Sequence, residues 1–177
     1  EAIEIDWEAH PVFPELTVLQ KSQGVWNTAM AKEGMIYAQD ASSYAFCQSI
    51  RPFLEGKILE VCASPVGKGF QLSQDYPDQF LLNDVSASRL KKVRQNLQRL
   101  NLAGCMLQSD GTKLPFPSRS MDGILLDVPC SSTGTIRKSP DIKWVENLKS
   151  LLRQTELQEQ LLKEAARVVR KGGWIAY

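Results

Sequence analysis

Short apolar runs alternate with longer amphipathic stretches along most of this chain. The runs are Ile58–Val61, Phe80–Asn83, Met106–Leu107 and Met121–Asp127, and Trp174–Tyr177 begins another. Runs of this length, bounded by Gly, Pro, Asn or Asp, predict buried strands. Between them the apolar spacing changes to that of helices. Asp40 is a plausible N-cap for a helix carrying Tyr44, Ala45, Ile50 and Phe53, with Pro52 and Gly56 ending it. Phe70 and Leu72 start a short helix that stops near 75–77. Ser86 caps a helix with Leu90, Val93, Leu97 and Leu100 on one face. A long helix over 148–169 turns Leu148, Leu151, Leu152, Leu161, Leu162, Ala165, Val168 and Val169 inward, and Gly172-Gly173 stops it. Residues 1–36 read as an irregular leader, broken by Pro11 and Pro14, with a short strand at Leu16, Val18 and Leu19.

Strand and helix alternate, and the connections are too long for hairpins. The pattern predicts crossover units, a mostly parallel sheet and helices on both faces, in one α/β domain. Ligands of such sheets bind at the carboxyl ends of the strands. Attention therefore falls on the small-residue loop after the first predicted strand: Cys62, Ala63, Ser64, Pro65, Val66, Gly67, Lys68 and Gly69. It falls also on the acids Asp84, Asp110 and Asp127, each at a later strand end. An acid at the second strand end is placed to accept hydrogen bonds from ribose hydroxyls; one at the third is placed for an adenine amine. Each acid by itself would read as a cap of the following turn, but three at successive strand ends favour a nucleoside-type cofactor. The loop has neither the GxGxxG of dinucleotide sites nor the GxxxxGK[ST] of phosphate loops, since Cys62 stands five residues before Gly67. A cofactor without a pyrophosphate, such as S-adenosylmethionine, fits it better.

Composition narrows the reading only slightly. Hydrophobic content of 43% and charged content of 23% suit a globular chain, and the net charge of +1 points to no nucleic acid except through a local patch. No apolar run reaches the roughly 18 residues that span a bilayer. The acidic start carries no secretory pattern, and its first residue is not Met, which suggests a trimmed or excised segment. The four cysteines form no CxxC pair, so neither a metal site nor disulfides are expected. Cys47 and Cys105 read as buried thiols, whereas Cys62 and Cys130 lie in candidate site loops. The single histidine, His10, precedes a proline in the leader and reads as a packing or surface residue; no Ser-His or Cys-His pairing is available. The polar face of the 86–100 helix carries Arg89, Lys91, Lys92, Arg94 and Arg99, which reads as a solvated face rather than an RNA surface.

Several longer matches go beyond periodicity. YAQDASS from Tyr37, EVCASPVGKG from Glu60, NDVSASRL from Asn83, SDGTKLPF from Ser109, LLDVPCSSTGTIRKSPDIKW from Leu125 and the closing RKGGWIAY stand together in this order. From Tyr37 to Tyr177 the chain resembles the Nop2/Sun/RsmB family of RNA (cytosine-5) methyltransferases, and the 127–144 segment is its most specific part. The resemblance implies a Rossmann-like methyltransferase domain over 37–177, with its C-terminal strands truncated, behind a 1–36 leader. It implies S-adenosylmethionine as cofactor, held by the backbone of 62–68, by Asp84 at the ribose and by Asp110 at the adenine. Asp127 would lie between cofactor and target base. Family chemistry is covalent: a cysteine thiolate adds to carbon 6 of cytosine so that carbon 5 becomes nucleophilic. Cys130, in the Asp-x-Pro-Cys segment, takes the role of releasing the product. The nucleophile belongs to a later Thr-Cys motif expected just past Tyr177, so the 177 residues by themselves would not complete turnover. The implied partner is ribosomal or transfer RNA, with no metal and no membrane, for a monomeric protein of the cytoplasm, or of a nucleolus or organelle in a eukaryote. Arg137, Lys138 and Lys143 would contact RNA and Trp144 would stack on it or pack on the sheet. The family writes the first loop D-x-CAAPGGKT; this chain has Ser64, Val66 and Gly69 where that pattern has Ala, Gly and Thr. Those departures leave an alternative, a non-catalytic RNA-binding or assembly protein on the same fold. An amino-group methyltransferase is disfavoured by Asp127-Val-Pro-Cys.

Overall fold

A computed structural model describes residues 6–20, 24–64, 67–74, 76, 78–136, 139–145 and 147–177, apart from the side chains of Lys143 and Val145. Five strands form one parallel sheet in the order β5-β4-β3-β6-β7: β3 Ile58–Val61, β4 Phe80–Asp84, β5 Cys105–Gln108, β6 Met121–Leu126 and β7 Val169–Ala176. A two-stranded antiparallel hairpin, β1 Trp7–Ala9 and β2 Thr17–Leu19, precedes them, so the leader is more regular than its prolines suggest. Helices α1 Ala29–Lys32, α2 Ala41–Ile50, α3 Lys68–Ser73, α4 Ala87–Arg99, α5 Ile142–Val145 and α6 Leu148–Val168 complete the fold.

Because side chains alternate along a strand, β3 serves two cores. Leu59 and Val61 face α6, packing with Ile124, Leu126, Leu161, Ala165 and Val168. Ile58 faces the other way, with Cys47, Leu54, Leu72, Phe80 and Leu125. Farther along that face Ala63, Phe70 and Leu82 meet Leu90, Val93 and Leu97 of α4. The expected caps are present: Asp40 Oδ1 accepts from the Ser42 N–H (3.1 Å) and Ser86 Oγ from the Arg89 N–H (3.3 Å). The chain builds β3, β4 and β5 toward one edge, then returns to place β6 and β7 on the other side of β3. That reversal is the switch point where open α/β sheets bind ligands, and the 62–69 loop leaves β3 there.

Four sequence expectations need correction. The long helix ends at Val168 rather than at the glycines: Val169 is already extended (ψ 138°) and pairs with Met121. Gly172, with φ +77°, lies in an irregularity of β7 between that pair and the Gly123–Trp174 pair. Second, Leu148, Leu151, Leu152 and Leu162 are exposed, Leu148 at 72%. The helix has 21 residues, about 31 Å at 1.5 Å per residue, against about 20 Å for the six residues of β6; its N-terminal half, with Leu148, Leu151 and Leu152, overhangs the sheet, whereas Leu162 lies beside the buried Leu161 on the outward side of the C-terminal half. Third, Cys105 is exposed because β5 is an edge strand. Fourth, the basic face of α4 is partly committed: Arg99 donates to the carbonyls of Ala31 (2.7 Å) and Ile36 (3.1 Å), tying the leader to the domain, and Arg89 turns to Asp84. His10 behaves as expected, its Nδ1 accepting from the Val12 and Phe13 N–H groups and its ring stacking on Phe13.

Candidate active site

The 62–69 loop is shaped by its first residue. Cys62 has φ +62°, a left-handed conformation that costs a non-glycine residue on the order of 1 kcal/mol or more and turns the chain sharply off β3. Burial, and then the carboxylate of Asp84, push its thiol up to about 11. Past the turn, the Ala63 N–H bonds to the Asn83 carbonyl (2.9 Å) and the Ser64 N–H to Asp84 Oδ2 (3.3 Å). The Ser64 hydroxyl oxygen is buried and has no hydrogen-bond partner among the described residues. Pro65 and Val66 lie outside the described residues, so the effect expected of Val66 does too.

The far end of the loop is braced by a residue that the sequence reading passed over. Gln39, inside the YAQD stretch, donates through Nε2 to the Gly67 carbonyl (3.4 Å) and to Gln71 Oε1 (2.8 Å). Tyr37 packs edge-on against Phe70, centroids 5.6 Å apart. The clue was the position of this motif just before the Asp40 cap, which assigns it to the start of α2 but not to a partner.

The three strand-end acids have different surroundings. Asp84 is buried, 1% exposed; its Oδ1 accepts from Ser86 N (2.8 Å) and from Arg89 Nε (3.0 Å) and Nη2 (2.8 Å), while among the described residues Oδ2 takes only the long bond from Ser64. Asp110 is exposed; its Oδ1 takes the N–H and hydroxyl of Thr112, both at 2.8 Å, which hold its carboxyl below the usual range. Asp127 is paired with Lys68 at 2.7 Å. This ion pair joins the loop after β3 to the segment after β6. Beside it opens a cavity of about 320 Å³ whose lining includes Ser42, Ser43, Phe46, Lys68, Asp127 and Tyr177. Cys130 is exposed on the same segment, whose Pro129 carbonyl accepts from Gln158 Nε2 of α6 at 2.7 Å.

Glu60, at the penultimate position of β3, went unassigned. It is 1% exposed. Burial, followed by the charge of Asp127, pushes its carboxyl up to about 8, while Lys68 and the Gly69 N–H pull the other way. Of the expected RNA contacts, Arg137, Lys138 and the side chain of Lys143 lie outside the described residues. Trp144 is 80% exposed, so its ring is not packed on the sheet. No group of metal-ligating side chains occurs among the described residues. No helix among them is long and apolar enough to cross a membrane.

The parallel sheet, the switch-point loop and the acids at its strand ends define a Rossmann-like α/β protein of methyltransferase architecture. Its family follows from comparison with known proteins: residues 47–177 match the model described as 16S rRNA methyltransferase RsmB/F, and the chain belongs to that family, the RsmB part of the group its motifs resemble. Ribosomal RNA small subunit methyltransferase B of Citrobacter koseri is 33% identical over 174 residues, 95% of this chain and 40% of the relative. The Klebsiella pneumoniae protein of the same name matches at 33% over the same shares. The chain thus spans about 40% of the length of these curated relatives. Among solved structures, PH0851 superposes with a TM-score of 0.87 at 25% identity, over 96% of this chain and 39% of that one. NSun6 from Pyrococcus horikoshii, determined with SFG, gives 0.75 at 26% identity, over 84% of this chain and 38% of that one.

Proposed function

We propose that this chain is the cofactor- and base-handling part of an RNA (cytosine-5) methyltransferase that acts on ribosomal or transfer RNA through a covalent cysteine adduct. The observation that carries the reading is the Lys68–Asp127 ion pair, which couples the switch-point loop to the Asp-x-Pro-Cys segment at the mouth of a cavity. Family membership and the named activity of the matched relatives support it.

The residues present suit S-adenosylmethionine. Cys62, Ala63, Ser64, Pro65, Val66, Gly67 and Lys68 would wrap its methionine part. The Ser64 hydroxyl, without a partner among the described residues, and the lightly used Oδ2 of Asp84 are available to polar groups of the ligand, with Asp84 at the ribose. Asp110 has one oxygen uncommitted to its own turn and suits the adenine amine. Such a ligand, when bound, supplies an electrophilic methyl group. On the RNA side, Asp127 accepts a hydrogen bond from the exocyclic amine of a cytosine extruded from its stack, and the Lys68 ammonium fixes the orientation of that carboxylate. The attacking thiolate comes from a Thr-Cys segment outside these 177 residues. Cys130, exposed three residues after Asp127, serves to release the methylated product. The proposal includes a methyltransferase domain over 37–177 behind the 1–36 leader, in a monomeric cytoplasmic protein.

Two measurements on the full-length protein test this. Calorimetric titration should show S-adenosylmethionine binding; a folded protein that binds none would favour the non-catalytic RNA-binding alternative. Cys130→Ala should accumulate a covalent RNA adduct visible as a shifted band on a denaturing gel. If the substitution instead abolishes the adduct, Cys130 is the nucleophile.

A further inference from the structure

Glycine in a helix is ordinarily disfavoured relative to alanine, so one at the second position of α3 needs a local cause. At Gly69 the cause is in view. A Cβ added there would lie 1.9 Å from Oε2 of Glu60 and 3.0 Å from Cδ2 of Leu82. Both neighbours are confined: Glu60 is 1% exposed and Leu82 fully buried, held in the centre of the sheet. The Glu60 carboxyl is held against the start of α3, and its Oε2 has no hydrogen-bond partner among the described residues. The space beside residue 69 is therefore filled from β3 instead of from α3.

The family pattern D-x-CAAPGGKT has Asp where this chain has Glu60 and Thr where it has Gly69. One position has gained a methylene and the other has lost its whole side chain. We infer that Glu60 and Gly69 are a size-matched pair, in which the Glu60 carboxyl takes the volume of the missing residue-69 side chain and so sets how closely the first turn of α3 seats on β3. Glu60 is then a positioning residue for the cofactor loop: it touches no ligand, and acts by fixing where Gly67 and Lys68 leave the loop. Lys68, one residue before the contact, carries the ion pair to Asp127, so a displaced helix start would move both halves of the candidate site. The departure at Gly69 accordingly preserves the loop rather than degrading it. This inference rests on the proposed cofactor site for its functional half, while its packing half stands on the contact itself.

The test is a double-substitution cycle in the full-length protein, with Glu60→Asp, Gly69→Thr and both together, read by urea unfolding and by calorimetric titration with S-adenosylmethionine. Gly69→Thr should lower the unfolding midpoint and weaken binding at least tenfold. Glu60→Asp should have a smaller effect. The double variant, which restores the family pair, should recover most of the midpoint and bring binding to within about threefold of the parent. Should Gly69→Thr not fold, Gly69→Ala with and without Glu60→Asp replaces it, because the contact begins at Cβ. Additive effects in unfolding, or a Gly69→Thr protein as stable as the parent, would overturn the pairing. Midpoint rescue without binding rescue would overturn the positioning role. A folded parent that binds no S-adenosylmethionine would refute the proposed function, and the unfolding half would still decide the pairing.

Discussion

Replacing Glu60 by Gln should flatten the pH dependence of stability between pH 6 and 8. The side chain keeps its length and burial but can no longer ionise. The glutamate's ordinary value of 4.5 holds in the unfolded chain, and burial in the folded protein pushes it up to about 8. Between these values the folded state holds a proton that the unfolded state has released, so stability falls as pH rises; below 4.5 the penalty is absent. At about 1.4 kcal/mol per pH unit the full interval corresponds to about 5 kcal/mol, of which about 3 kcal/mol falls between about pH 5.5 and pH 8. The groups that act on Glu60 are Asp127 and Lys68 at the site, the Gly69 N–H on α3, and Tyr37, Cys47 and Cys62, whose own ionisation it opposes. Asp110, Asp122 and Glu164 are held below their ordinary values, so their contributions are lost toward acid and leave this window clear. The assay is urea unfolding of parent and variant at half-unit steps from pH 5.5 to 8.5. The parent midpoint should fall by about 1–2 M relative to the variant across that range, for a slope near 2 kcal/mol/M. Parallel profiles would show that Glu60 ionises normally and is not sealed behind the loop.

Two further outcomes test the packing. Leu161→Ala should cost about 2–5 kcal/mol, because that side chain is buried against Leu59 and Ile124, whereas Leu148→Ala on the overhanging half of the same helix should change stability by less than about 0.5 kcal/mol; equal losses in urea unfolding would contradict the division of α6. Alkylation at pH 8 followed by mass spectrometry should modify Cys105 and Cys130 quickly, both being exposed, and leave Cys47 and Cys62 unmodified until denaturant is added. Burial pushes those two thiols up to about 12 and about 11, so little thiolate exists to react. Rapid labelling of Cys47 in the folded protein would refute that burial.

The central strand positions were legible because inner strands of a parallel sheet are buried on both sides and read as continuous apolar runs; Ile58–Val61 is buried at all four positions. The caps were legible for a related reason, since Asp40 and Ser86 act on backbone N–H groups two or three residues away. What depended on distant neighbours was not. The inward face of α6 was over-read because periodicity reports which side of a helix is apolar, but not how far the sheet beneath it extends. Arg89 looked like part of a solvated stripe because its partner, Asp84, precedes the helix that carries it. The loop departures show the limit most clearly. Read one position at a time against the family pattern, Gly69 is a lost threonine and a sign of decay. Read with Glu60, nine residues earlier but in contact across the strand–helix turn, it is the half of a pair that makes room for the other. A motif compared letter by letter treats its positions as independent, whereas a packed interior couples them. The departures at Ser64 and Gly69 therefore do not add up as two losses: one leaves a buried hydroxyl available to a ligand, and the other fits the longer acid beneath the loop.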